Sequence, residues 1–345
     1  MTELEVIKKV AAQIVNSDGM EIGEPIVLEE ISFVPIIKQE VPKEERDYLT
    51  LSEALEIGAC EIIDKGTEVA HILFKNLGEL PILIEEGDIF LGKGTQDRIS
   101  VGTVMVEPGA VQEISVKCVH APHYLSANAN FSYGGKASRG MLNEMRSLKF
   151  SSATKGYGAS TINQARIWNK VNEEMASKKT VKDQTKYTLG INSRREKVIK
   201  RSKQLNFPKN TIGIVVVDAE GEIKGVELHR SSHNFNVRKT TILESLETNV
   251  KWESTGKGAF SDAQDKAEKM FKKISKLKKG KDTLGQIELD GLVINSEGLQ
   301  GEAFTSAFYS AICSSCGKSK PRKQKCPSCG FLEEASEDFT YMSLF

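Results

Sequence analysis

Residues 87–123 constrain this chain more than any other stretch. Apolar side chains alternate at Ile99, Val101 and Met105, and again at Ile114, Val116 and Cys118. A period of two sends successive side chains to opposite faces of a strand, so each run buries one face. Between the runs, Glu107-Pro108-Gly109-Ala110 offers proline where φ is fixed and glycine where φ must be positive, as a type II turn requires. A polar loop, Gly92-Lys93-Gly94-Thr95-Gln96-Asp97-Arg98, leads into the first run. Upstream, residues 60–64, 68–76 and 80–85 read as three more strands, punctuated by Gly66, Gly78 and Gly87. A chain with this pattern builds a mostly antiparallel, β-rich core ending near Val119.

The flanks add helices. Leu4, Ile7, Ala11 and Ile14 share one side of an N-terminal helix that Asp18-Gly19 ends. Residues 25–37 hold two short strands. A further helix starts at residue 49, capped by Thr50 or Ser52, whose side-chain oxygens can accept from an otherwise unpaired N–H. Residues 124–140, rich in Ser, Asn, Ala and Gly, read as a long loop. Helices follow at 141–150 and 162–175, then a basic helical stretch at 193–205. The run TIGIVVVD at 211–218 is apolar throughout and suits a strand buried on both faces. It turns back into a hairpin, and helices at 236–251 and 262–279 precede returning strands at 286–295 and 303–312. VVVDAEGEIKGVELH and LVINSEGLQGEAFT echo each other as strand, acidic turn and strand. The expected class is α+β: an antiparallel β-rich core with packed helices and a C-terminal zinc ribbon. The expected divisions are 1–47, a core at 48–310 (β-rich to 123, helices and a second hairpin layer from 141), the ribbon at 311–332 and a tail at 333–345.

Six cysteines are present, four of them close together near the end. Cys313-Ser-Ser-Cys316 and Cys326-Pro-Ser-Cys329 form two knuckles, each pointing two thiolates at one point. Four thiolates make a tetrahedral zinc site with no open position, so the expected metal is structural. Lys318, Lys320, Arg322, Lys323 and Lys325 between the knuckles suit contact with a protein or nucleic-acid partner, or a solvated loop. Lys and Arg together equal Asp and Glu at 47 each, so no global field draws the chain to nucleic acid or membrane. No apolar run reaches the roughly 20 residues that span a bilayer. The N-terminus carries no secretory pattern, and a cytoplasmic, reducing setting is expected.

The 92–98 loop is the leading small-molecule candidate. Its glycines let a ligand approach the backbone; Lys93 and Arg98 suit phosphate or carboxylate, and Gln96 and Asp97 suit hydroxyls or a base edge. The competing reading has Asp97 and Arg98 merely ordering the turn. Downstream, His120 and His123 are candidates, with Asp97, for acid and base roles, whereas Cys118 reads as a small buried apolar residue. His229 and His233 are weaker candidates.

The middle of the chain resembles the domain family associated with ADP-ribosylglycohydrolases and rhodanese-phosphatase proteins. The resemblance rests on Glu53-Ala54-Leu55, Pro81, Glu86-Gly87-Asp88, Gly92, Lys93, Gln96, Arg98, Pro108-Gly109, Val116, Cys118 and Val119, and extends through residues 164–168 and the strand ending in Asp218. It covers about 48–310 of the chain. The family's lysine-glutamine-asparagine-arginine run is stretched here by Gly94-Thr95, and its acidic and Gly-Arg-Trp residues are replaced by His120 and Ala121-Pro122-His123. The resemblance implies an intracellular domain linked to NAD and ADP-ribose metabolism. Three functions are compatible with these features: a ligand-binding or regulatory protein for an anionic small molecule, a hydrolase or transferase acting on a phosphate-containing substrate, and a nucleic-acid-associated zinc-ribbon factor.

Overall fold

The computed structural model describes residues 3–39, 48–64, 69–120, 129–154, 162–176, 186–247, 250, 252, 256, 258–277, 283–284, 291–296, 299–304, 328–329 and 341–344. Among them lie seven helices and eighteen strands, paired antiparallel except at one short contact. The α+β class read from the sequence is the observed one.

Helix α1 (Glu3–Val15) leads into β1 (Met20–Ile22), β2 (Ile26–Leu28) and β3 (Ile31–Lys38). A first β unit follows. It comprises β4 (Leu49–Thr50), α2 (Leu51–Glu56), β5 (Cys60–Ile63), β6 (His71–Asn76), β7 (Ile82–Ile84), β8 (Asp88–Lys93), β9 (Arg98–Ser100), β10 (Val104–Val106), β11 (Val111–Cys118) and β12 (Asn130–Lys136). Six strands run in the order β12-β8-β9-β11-β6-β5, and three in the order β10-β7-β4. Between them lies a core that includes Ile72, Phe74, Ile84, Phe90, Ile114 and Val116. Thr50 caps α2 in a capping box, its hydroxyl accepting from the Glu53 N–H while Glu53 accepts from the Thr50 N–H at 2.9 Å. At the β10–β11 turn the Ala110 N–H donates to the Glu107 carbonyl at 3.0 Å, with Gly109 at φ 71°. This is the type II turn the sequence specifies.

One stretch departs from the sequence reading. Part of the expected loop at 124–140 is strand β12, paired with β8 from Asn130↔Lys93 to Lys136↔Asp88. Its glycines disguise it. A Cβ on Gly134 would stand 2.7 Å from the Ile89 side chain, and Gly135 takes φ +102° against the Glu244 carboxylate. Here glycine marks close packing inside a sheet rather than a turn.

The second half comprises α3 (Arg139–Thr154), α4 (Gln164–Ala176), α5 (Tyr187–Gln204), β13 (Thr211–Val217), β14 (Ile223–His229), α6 (Ser232–Leu246), α7 (Ala263–Ile274), β15 (Thr283–Leu284), β16 (Gly291–Ser296), β17 (Leu299–Phe304) and β18 (Tyr341–Leu344). These strands and β1–β3 form one sheet of nine, ordered β1-β3-β13-β14-β18-β17-β16-β15 with β2 on β3. Every residue of β13 is buried. Val215 and Val217 pack in the core with α1 and α7, and Ile214 and Val216 in the core with α5 and α6. Helices on both faces account for the unbroken apolar run. The two echoing segments are both hairpins of this sheet, β13–β14 and β16–β17. The expected tail contains β18, which lies between β14 and β17 with Phe304 opposite Tyr341.

Candidate functional site

The corner between β8 and β9 is built by glycine and closed by Asp97. A Cβ on Gly92 would lie 2.5 Å from the Thr95 carbonyl oxygen and 2.8 Å from that of Gln96, so only glycine lets the loop fold back on its own strand. Gly94 takes φ +81° with open space around it. Asp97 Oδ1 accepts from the Gly92 N–H at 3.0 Å, and Oδ2 from the Thr188 hydroxyl at 2.7 Å. Lys186 Nζ stands 3.8 Å from Oδ2. Thr188 lies in the first turn of α5, so the carboxylate also meets the positive end of that helix. Arg98 donates to the Gln96 carbonyl at 2.9 Å and to Asp64 Oδ2 at 3.4 Å, and the Thr95 hydroxyl donates to the same Asp64 oxygen at 2.8 Å.

Of the sequence-derived loop residues, Gln96, Asp97 and Arg98 are fully buried, whereas Lys93 is exposed at the end of β8. The two cations occupy different environments: Arg98 is committed to the loop and Asp64, and Lys93 stands on the rim. His120 is brought to the same corner by a backbone bridge to Lys186. His123 lies outside the described residues. The Cys118 thiol donates to the His120 carbonyl at 2.9 Å, and burial pushes its pKa up, so it rests as a thiol. Gln164 pairs with the Cys118 backbone in both directions, at 3.0 and 2.8 Å. Lys186 and Thr188 escaped sequence reasoning, because no spacing ties the start of α5 to a loop some 90 residues earlier. Cys313, Cys316 and Cys326 lie outside the described residues, and Cys329 is exposed. No group of metal-ligating side chains occurs among the described residues. His229 is buried among the charges of Glu85, Glu227, Arg238 and Lys136, and His233 approaches Glu53 Oε1 at 3.5 Å.

A second polar centre was hidden from the sequence altogether. The turn Glu85-Glu86-Gly87-Asp88, closed by the Asp88 N–H on the Glu85 carbonyl at 3.0 Å, sends three carboxylates into the interior. Glu85 Oε2 accepts from Lys136 at 2.8 Å and from Arg238 at 2.6 Å, and Arg238 also reaches Asp88 at 2.8 Å. Glu86 takes Arg146 at 2.8 Å and Lys149 at 2.7 Å. Arg139 pairs with Glu227, and Ser343 of β18 accepts from Arg139 at 2.7 Å and from Arg146 at 2.9 Å. Burial alone would raise the pKa of Glu85 and Glu86. The Arg238 and Lys136 charges on one, and Arg146 and Lys149 on the other, outweigh it and hold each at about 2. The network joins the first β unit to the nine-stranded sheet. Its five cations are each paired to at least one of the four carboxylates, which suits a structural clamp.

A third arrangement, in which the Ser138 hydroxyl donates to Glu174 at 2.6 Å with Tyr187 beside it, looks like a nucleophile and its base. Ser138 is buried and accepts from the Met141 N–H at 3.0 Å, so its geometry is that of a helix cap on α3.

The family model for the ARG and Rhodanese-Phosphatase-superfamily-associated Protein domain, ARPP-1, matches residues 19–305. The chain belongs to the ARPP-1 domain family. No curated protein and no solved structure matches it. The ARPP-1 match begins beside β1 and ends beside β17, so it takes in the first β unit and all of the nine-stranded sheet except β18, and it excludes the cysteine-rich segment. Within the ARPP-1 domain, some of the residues that carry the sequence resemblance lie at two places: Glu86, Gly87 and Asp88 at the buried network, and Gly92, Gln96, Arg98 and Cys118 in or beside the corner. No described helix is long and apolar enough to cross a membrane.

Proposed function

We propose that this ARPP-1 domain is an intracellular ligand-binding or regulatory protein that recognises an anionic small molecule at the 92–98 corner, in the NAD and ADP-ribose metabolism to which its family association points. The observation that carries the reading is the Asp97 carboxylate, bonded to the Gly92 amide on one side and approached by Lys186 on the other. It holds a partly exposed ammonium beside the glycine backbone that Lys93 follows. Lys93 and Lys186 are the groups that meet the ligand's charge. Gln96, Asp97 and Arg98 form the floor beneath, and Arg98 sets the loop by gripping Asp64. Three cations against the two carboxylates, Asp64 and Asp97, leave the corner net positive, as an anionic guest requires.

The test is a thermal-shift screen with ADP-ribose, NAD, pyrophosphate and inorganic phosphate. A ligand that binds only the folded state raises the melting temperature in proportion to its saturation. A rise with a phosphate-bearing compound that disappears in Lys93→Ala and Lys186→Ala supports the reading, and a flat response throughout contradicts it.

A hydrolase or transferase acting on a phosphate-containing substrate is the second reading. It is favoured by the bridge that sets His120 beside Lys186. That reading requires turnover of a bound phosphoester, abolished by His120→Ala. Asp97 is a poor base here, because its carboxylate already holds two hydrogen bonds and a neighbouring ammonium.

A structural zinc on Cys313, Cys316, Cys326 and Cys329 completes the proposal, with the basic loop between the knuckles meeting a protein or nucleic-acid partner. Four thiolates exclude a hydrolytic role for that metal. Elemental analysis is expected to find one zinc per chain, lost when Cys313 and Cys316 are changed to serine.

A further inference from the structure

Helix α5 carries six cations and one acid. Its apolar side is spent: Tyr187, Ile191 and Val198 are buried, and Arg201 is pinned by Glu29 at 2.8 Å and Glu247 at 2.9 Å while lying over the Trp252 ring. The opposite side is exposed and basic. Arg195, Lys197, Lys200 and Lys203 all face solvent, with Glu196 the one acid among them. None of the four cations forms an ion pair with a described residue, whereas the comparable lysines of α7 are interleaved with acids and Lys272 pairs with Glu268. Arg201 and Lys203 lie in the last turn, where they favour the helix dipole. Arg195 and Lys197 lie mid-helix and gain nothing from it. Asn192, Ser193 and Gln204 add exposed polar donors on the same side.

We propose that the outer face of α5 binds a nucleic-acid strand through its backbone phosphates. Charge complementarity names a polyanion, and the surroundings select among polyanions. An anionic membrane is held by an amphipathic helix that inserts its apolar side, and that side of α5 is locked in the core. An acidic protein partner needs buried aromatic or aliphatic anchors, and Ile199, 37% exposed, is the only apolar side chain this face offers. Lys197, Lys200 and Lys203 follow one another at three-residue spacing along one side of the helix, a linear display suited to successive phosphates, and Arg195 points elsewhere. No aromatic residue lies among them, so the contact reads charge and not base identity. The proposal is independent of the small-molecule corner and does not use the cysteine-rich segment.

The test is fluorescence anisotropy of the full chain with a labelled single-stranded RNA and a DNA of the same length and sequence, across a salt series. Three phosphates neutralised on a single strand give a slope of log K on log salt of about −2, so binding weakens about twenty-fold between 50 and 200 mM salt. The variant Lys197→Ala/Lys200→Ala/Lys203→Ala removes all three, and its slope is expected to approach zero. Alanine favours helix, and all three positions are exposed, so the fold is retained; circular dichroism checks this. A second variant with glutamine at the same positions is expected to behave alike. No binding at 50 mM salt overturns the proposal. So does an undiminished slope in both variants, which would place the contact on the cysteine-rich segment, or preferential binding to phosphatidylserine vesicles.

Discussion

Lys93 and Arg98 are both cations of one loop, yet only one of them is a surface group. Arg98 is wholly buried, with Asp64 as its counter-charge. Removing it strands a buried carboxylate, a change that costs about 3–5 kcal/mol. Arg98→Met is therefore expected to lower the urea midpoint sharply, while Lys93→Ala shifts stability by less than about 0.5 kcal/mol. Equal effects of the two substitutions would mean that the loop is not organised from beneath. Glu85 and Glu86 make a prediction about pH. Their pKa values are held at about 2, below the ordinary carboxylate range, so the folded state binds fewer protons than the unfolded one. Their contribution is present above the ordinary carboxylate pKa and is lost as pH falls from there toward 2, on the order of 3 kcal/mol for each group. Burial also depresses His229, which opposes folding once pH drops below the usual imidazole range, in the same direction. Urea midpoints measured from pH 7 to pH 3 should fall steeply. Glu86→Gln should start lower and fall less, and a profile as steep as that of the parent protein would contradict the assignment.

Individual elements were legible where local physics fixes them. The turn at Pro108-Gly109 and the both-faces-buried strand β13 follow from φ preference and apolar periodicity, and both are observed. Strand β12 was not legible, because its glycines serve close contacts with Ile89 and Glu244 that exist only once the sheet has formed. The same holds for the corner. Its loop was visible as a glycine-punctuated polar run, but Lys186, Thr188 and Asp64 arrive from elsewhere in the chain. The buried network is the extreme case: Arg139 and Arg146 on α3 and Arg238 on α6 each look like ordinary solvated charges in sequence. Glycine substitutions separate the two kinds of position. Gly109→Ala has free space and suffers only from its positive φ, at about 1 kcal/mol. Gly134→Val must displace Ile89 and is expected to lower the melting temperature several times further. Denaturation of the two variants side by side checks this, and equal losses would contradict the packing explanation.

At the scale of the whole molecule, the last strand closes the nine-stranded sheet. β18 pairs with β14 and β17, and the Ser343 hydroxyl sits among Arg139, Arg146 and Glu227. Deleting residues 341–345 is expected to abolish a single cooperative unfolding transition, since it opens the sheet and strips a partner from two buried guanidinium groups. An unchanged transition would contradict that role. The corner stands apart from this clamp, and its claim is the central one. Isothermal titration of ADP-ribose and pyrophosphate into the full chain, beside the Lys93→Ala/Lys186→Ala variant, tests it most directly. The account predicts saturable binding to the parent protein that weakens about tenfold or more in the variant, the worth of a charged hydrogen bond. Equal affinity for both proteins, or heat from neither, would contradict it.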